Sequence, residues 1–256
     1  MEKLKTFFKC NGFRVGSKCN LNLERHYVSA RQRSRAEYIP TDEEIDRILN
    51  KAGLNLKWRA FFLALYTTGL RNSTLRALRY RDVGEELEGG VAPLLVKVYP
   101  SMKEVVPEAC KGKLPYFTFM SREAVEAVRA YLSERENKLG PLEDEQVLFC
   151  SDDKRIDKEK RPYTPLNMTA LEKMLKKAAK AALIKEWQYV TPHCLRKAFE
   201  RAVRNTGLNL KDQEFLMGHI LPGSQGTCYD KTKVEDMREK YAKITFFLIE
   251  QPMQKS

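Results

Sequence analysis

The chain has 256 residues, 43% apolar and 31% charged, and contains no apolar run of the ~18 residues that a membrane span needs, which excludes an integral membrane protein. Its 46 basic residues exceed its 34 acidic ones, and the net charge of +12 favours a polyanionic partner because each neutralised phosphate releases condensed counterions. The six cysteines form no Cys-x-x-Cys pair and have no histidine at metal-ligand spacing, so they predict reduced thiols in a cytoplasmic protein rather than a disulfide framework or a metal site.

Residues 1–37 form the first predicted unit, and residues 38–256 form the second. Residues 1–35 carry nine Lys/Arg against two acids, with little hydrophobic periodicity. This composition indicates a basic arm or the remnant of a module that clamps a nucleic acid, and a solvated tail is an equally good interpretation. Met1–Asn20 is too interrupted by polar residues to be a signal peptide.

The second unit begins with a helix start signal, since Thr41 and Glu44 have the spacing of a capping box. Helical periodicity and turn residues predict further helices at Leu56–Thr68, Asn72–Leu78, Ser121–Lys138, Leu166–Ala182, Pro192–Asn205, Lys211–Met217 and Val234–Glu250. Two alternating segments, Leu94–Tyr99 and Pro115–Phe119, predict short strands joined by a basic loop. The predicted fold is mainly α with a small antiparallel β-sheet. The apolar tail Ile244–Ile249 is predicted to pack as a last helix on the domain's own core.

A few cationic and phenolic residues in the second unit have the chemistry needed to cut a phosphodiester. Arg71 follows a glycine turn at the start of a helix, and His193 and Arg196 lie three residues apart on one helical face. An arginine fork donates two parallel hydrogen bonds to phosphate, and neighbouring cations activate a tyrosine as a nucleophile. His219 after a glycine, and Tyr229 ten residues later, complete the candidate set.

These residues, in this order along the chain, resemble the tyrosine recombinase (phage integrase) family over about 38–241. The segment Met217–Gly223 resembles the integrases of archaea and archaeal viruses more than bacterial ones. The resemblance implies a catalytic domain over 38–256 that acts in DNA recombination and DNA integration, including integration of a viral genome. It also implies double-stranded DNA as the partner, a tetramer on that DNA, and no cofactor, metal or small-molecule substrate.

The same resemblance assigns roles to the residues. Tyr229 would attack the scissile phosphate, leaving a 3′-phosphotyrosyl intermediate and a free 5′-hydroxyl. A lysine of the β-hairpin would be the general acid; Lys103 is preferred, and Lys113 is the alternative. The cations around the phosphate would be Arg71, His193, Arg196 and His219.

Two departures from the family pattern leave alternatives open. Thr74 occupies the place of a glutamate that commonly follows the first arginine, and Tyr241 is a second candidate nucleophile because the interval from His219 to Tyr229 is one residue longer than usual. Two other functions also stay open: DNA relaxation like that of a type IB topoisomerase, and DNA binding by a catalytically silent protein of the same fold.

Overall fold

The structure is a computed structural model that describes residues 38–111, 115–219 and 231–246. The predicted basic arm (1–37), Lys113 and Tyr229 lie outside the described residues.

Most of the described chain is helical, and five of the helices begin where the sequence provides a side-chain cap. Thr41 forms the predicted capping box with Glu44, and the helix that it starts continues for one more turn as a π-helix, Arg47–Lys51. Asn55, Ser121, Asn167 and Asn209 each accept a hydrogen bond from a backbone N–H in the first turn of the helix that follows. The α-helices are α1 (Asp42–Asp46), α2 (Leu56–Thr68), α3 (Asn72–Ala77), α4 (Gly84–Glu88), α5 (Arg122–Leu139), α6 (Met168–Ala181), α7 (Pro192–Asn205), α8 (Leu210–Leu216) and α9 (Lys231–Tyr241).

The core is organised around α2, which is buried along nearly its whole length. Its sequence is apolar on most faces, as expected of a helix surrounded by other elements rather than lying on a surface. Helices α5 and α7 and the strand Tyr116–Met120 pack against it. The C-terminal end of α2, at Thr68, is therefore fixed by packing on several sides.

The sheet within the described residues consists of two antiparallel strands, β1 (Leu94–Val98) and β2 (Tyr116–Met120), with Leu94 opposite Met120 and Val98 opposite Tyr116. Each strand lies within one residue of its predicted position. The predicted fold class, mainly α with a small antiparallel sheet, is confirmed. No helix in the described ranges is both long and apolar enough to cross a membrane.

The predicted C-terminal helix Val234–Glu250 is wrong at its end, because α9 stops at Tyr241. Ile244 and Phe246 are buried and alternate with exposed residues, which is the pattern of an extended segment rather than a helix. The Phe246 carbonyl accepts a 2.7 Å hydrogen bond from the Tyr66 hydroxyl on α2, so tertiary contacts replace further helical bonds. The expected packing of this segment on its own core is found as far as Phe246; residues 247–256 lie outside the described part.

Candidate active site

A tight turn after α2 positions the first predicted site residue, Arg71. Gly69 ends α2 in the left-handed conformation, with φ +62°. A Cβ at that position would overlap the ring of Phe199 on α7, so the turn needs glycine both for its backbone angle and for the close approach of that ring. Arg71 follows as the N-terminal cap residue of α3, in an extended conformation.

The start of α7 supplies the second pair, His193 and Arg196. The helix begins at Pro192, a residue preorganised for the first helical turn. His193 is exposed, whereas Arg196 is 5% exposed, and its guanidinium donates to the carbonyls of Gly69 and, at 2.6 Å, Met217. Arg196 therefore joins the end of α2 to the end of α8.

A Schellman motif at the end of α8 positions His219. The N–H of Gly218 donates to the Phe215 carbonyl, and the N–H of His219 donates to the Glu214 carbonyl, each at 2.9 Å. Gly218 has φ +62° and packs against the ring of Tyr116 so closely that a Cβ would overlap it. In the His219 ring, Nε2 lies 3.1 Å from an Arg196 guanidinium nitrogen, and Nδ1 lies 2.6 Å from a Glu214 carboxylate oxygen.

The four predicted cationic residues line one cavity of about 290 Å³. Its wall is formed by Leu70, Arg71, Asn72, Ser73, Pro192, His193, Arg196, Lys197, Glu200, Met217 and His219. Burial and the neighbouring charge of Arg71 lower the pKa of Arg196 to about 10, which still leaves its guanidinium charged at neutral pH. A cavity with this lining favours an anion.

Lys103 does not line this cavity. It lies in a 3₁₀ turn, Pro100–Glu104, directly after β1. The connection that carries it is attached to α3, because the Ser73 hydroxyl donates to the Glu108 carbonyl at 3.1 Å and the Cys110 N–H donates to the Thr74 hydroxyl at 3.3 Å. Thr74, at the place of the family glutamate, is buried and helps to hold the hairpin connection next to the helix that starts after Arg71.

Tyr241, the alternative nucleophile, is a core residue. It is 1% exposed, and its hydroxyl donates a 2.6 Å hydrogen bond to the Thr67 carbonyl in the last turn of α2. Burial raises the pKa of the Tyr241 phenol well above its ordinary value, which opposes formation of the phenolate that would attack. Burial and this hydrogen bond favour a structural role for Tyr241, and Tyr229 stays the predicted nucleophile.

Three charged residues at or beside the cavity were missed in the sequence. Lys197 directly follows Arg196, and its ammonium forms a 3.1 Å ion pair with Glu200 one turn later. Glu214 contacts His219 across the end of α8. Lys197 and Glu200 follow Arg196 closely on the same helix, so the sequence alone already places them near the site. The role of Glu214 can be recognised only when the turn at Gly218 is identified as a Schellman motif.

The chain matches the model of the phage integrase family over residues 40–225. It is 27% identical over 206 residues to the tyrosine recombinase XerD of Halalkalibacterium halodurans and 30% identical over 206 residues to the tyrosine recombinase XerA of Thermococcus onnurineus. Each alignment covers 79% of this chain, which spans about three-fifths of the length of either relative (60% and 61%).

Solved structures show the same fold. A crystal structure of XerA recombinase superposes with a TM-score of 0.54 at 22% identity, covering 94% of this chain and 68% of that one. An integrase from mycobacterium phage Brujita superposes with a TM-score of 0.55 at 16% identity, covering 86% of this chain and 63% of that one. The matched family range contains the four predicted cationic residues of the cavity, and the chain belongs to the phage integrase family of tyrosine recombinases.

Proposed function

We propose that this chain is a site-specific DNA recombinase, an integrase that cuts and rejoins double-stranded DNA through a covalent 3′-phosphotyrosyl intermediate at Tyr229. The observation that carries the proposal is the convergence of Arg71, His193, Arg196 and His219 on one cavity, although they come from separate parts of the chain. Family membership supports site-specific recombination as the reaction class, and we infer that this cavity holds the scissile phosphate.

Charge neutralisation is the task of the cavity. As a phosphodiester passes through its transition state, negative charge builds up on the non-bridging oxygens, and preorganised donors stabilise it there. Two guanidinium groups and the His193 imidazole supply those donors, and Arg196 is held in advance by two backbone carbonyls and by its contact with His219. These side chains do the neutralising that a metal ion performs in other enzymes, so the proposed reaction uses neither a metal nor ATP.

The bond changes balance without a further reactant. The Tyr229 hydroxyl loses its proton to solvent as its oxygen forms a bond to phosphorus, the bond from phosphorus to the 5′ oxygen breaks, and that oxygen takes a proton, for which Lys103 is our proposed donor. The 5′-hydroxyl of a partner strand then attacks the phosphotyrosine and restores both the phosphodiester and the tyrosine. The energy of the first bond is kept in the second.

The DNA surface extends beyond the cavity. Helix α6 carries exposed lysines at Lys173 and Lys177, four residues apart on one face. Together with the net charge of +12, this face suits contact with phosphates that flank the cleaved one. We propose further that four copies assemble on two DNA duplexes, because exchange between duplexes needs two cuts in each, and that the protein acts on DNA in the cytoplasm.

The test is adduct formation on a suicide duplex that carries a nick next to randomised flanks, so that a cleaved strand loses a short fragment and cannot religate. Wild type should form a protein–DNA adduct stable to denaturation, and Tyr229→Phe should form none. Tyr189→Phe, which alters an exposed tyrosine, is the matched control and should react like wild type.

The outcomes separate the candidate functions. Tight binding without any adduct would refute the proposal in favour of a silent DNA-binding protein. Adduct formation with relaxation of supercoils, but without strand exchange between two duplexes, would refute it in favour of a topoisomerase activity.

A further inference from the structure

A carboxylate outside the predicted site residues contacts one of the histidines of the cavity. Glu214 lies on α8, five residues before His219, and the Schellman motif at the end of that helix brings the two side chains together. The 2.6 Å separation of Glu214 Oε2 and His219 Nδ1 is that of a short, charge-assisted hydrogen bond. The Glu214 side chain is 23% exposed, so solvent only partly competes for it.

The contacts on both sides of the ring define where its proton lies. A guanidinium has donors and no acceptor, so the contact between Arg196 and His219 Nε2 requires a lone pair on that ring nitrogen. The single proton of a neutral imidazole is then on Nδ1, which donates it to the Glu214 carboxylate. The Arg196 guanidinium is itself held by the Gly69 and Met217 carbonyls, so the ring is fixed between two anchored groups.

We propose that Glu214 is a positioning residue for His219: it fixes the tautomer with the proton on Nδ1 and the orientation in which Nε2 faces the cavity and Arg196. This role rests on the proposed function, in which it would place Nε2 of His219 beside the scissile phosphate for each turnover. A ring without Glu214 would be free to place its proton on Nε2, which would remove the acceptor for Arg196 and loosen both groups.

Glu200, a carboxylate that lines the cavity itself, provides the contrast. Glu200 is bonded to Lys197 and Arg204 and makes no described hydrogen bond to His219. Removing its charge therefore changes the electrostatics of the same cavity without changing the contact to the ring. Among the groups that face His219, Arg196 and Glu214 make the direct contacts, and Glu200 acts only through its field.

The first measurement needs no DNA. The chain has three histidines, so the imidazole nitrogens of a ¹⁵N-labelled sample give few signals in a long-range ¹H–¹⁵N spectrum. In wild type above pH 7.5, His219, assigned by its loss in His219→Gln, should show the proton on Nδ1, and Glu214→Ala should redistribute it towards Nε2. Glu214→Gln keeps an amide oxygen that accepts from Nδ1, so it should retain the wild-type pattern, as should Glu200→Gln.

The second measurement is the rate constant for adduct formation on saturating suicide duplex. We expect a fall of about 10- to 100-fold in Glu214→Ala, comparable to the loss of a carboxylate behind a metal-bound histidine, and recovery to within about threefold of wild type in Glu214→Gln. DNA affinity should change far less than this rate. Equal rates in wild type and Glu214→Ala, or an equal loss in Glu214→Gln and Glu214→Ala, would overturn the positioning role.

The two measurements test the role of Glu214 and the proposed recombinase function separately. An Nε2-protonated His219 in folded wild type would reject the role of Glu214 whatever the enzyme does. Absence of an adduct in wild type, with the expected spectrum, would instead reject the recombinase function and confine Glu214 to ordering an anion site.

Discussion

Substitution of Tyr241 by phenylalanine tests whether this residue is structural. The change removes one buried hydroxyl and leaves the ring, which packs against Phe119 and Phe246 with centroids 5.4 and 5.6 Å away. The lost hydrogen bond served the Thr67 carbonyl, which lies in the last turn of α2, where carbonyls have no intrahelical partner. A buried acceptor left without a donor costs about 1–3 kcal/mol, so the free energy of unfolding should fall by about that amount.

Equilibrium unfolding in urea, followed by far-ultraviolet circular dichroism, measures this difference. Tyr189→Phe is the matched control, since the Tyr189 side chain is 57% exposed, and its effect should stay within about 0.5 kcal/mol. Folded Tyr241→Phe should also form the DNA adduct at the wild-type rate. Wild-type stability combined with loss of the adduct would refute the structural interpretation and make Tyr241 the nucleophile.

Three further predictions concern the turn, the acid and the DNA surface. Gly69→Ala should destabilise the protein by about 1–3 kcal/mol in the same unfolding assay, because its Cβ overlaps the Phe199 ring and its φ is left-handed; an unchanged midpoint would contradict the geometry of the turn. Lys103→Ala should slow cleavage because the leaving 5′ oxygen loses its proton donor. A substrate with sulfur at the 5′ bridging position should restore the rate, since a thiolate leaves without protonation. If this substrate rescues Lys197→Ala instead, Lys197 is the general acid. Lys177→Ala should lower the slope of log affinity against log salt by about 0.9 if this lysine neutralises one phosphate, whereas an unaltered slope would place the α6 face away from DNA.

Local signals predicted most of the helices well. The capping box at Thr41 and the Thr191-Pro192 start of α7 are both present, and α7 spans the predicted Pro192–Asn205. Such signals work because the groups that they pair, a side-chain oxygen and a nearby N–H, are within four residues of each other. The predicted β1 and β2 segments are each out by one residue, because the ends of a strand are set by its partner rather than by its own alternation.

The error at the C-terminal end came from a contact between distant parts of the chain. Helical periodicity continued beyond Tyr241 in the sequence, but the Phe246 carbonyl meets the hydroxyl of Tyr66, 180 residues away, and the segment is extended instead. No local pattern contains that hydroxyl. Glu214 was missed for a different, local reason: a carboxylate on a helix is usually a solvated residue, and its contact depends on the turn at Gly218 bringing His219 back over the helix end.

Arg196 shows why the motif residues could be recognised in the sequence although their arrangement could not. An arginine three residues after His193, on the same helical face, could be recognised in the sequence because binding a phosphate requires a fixed cation. Its position, however, depends on backbone carbonyls at Gly69 and Met217, which belong to different turns. Each of those turns is tight because glycine lets a ring pack directly on the backbone: Phe199 on Gly69, and Tyr116 on Gly218. The same two turns carry Arg71 and His219, so the packing that stabilises the core also sets the distances between the cations of the cavity.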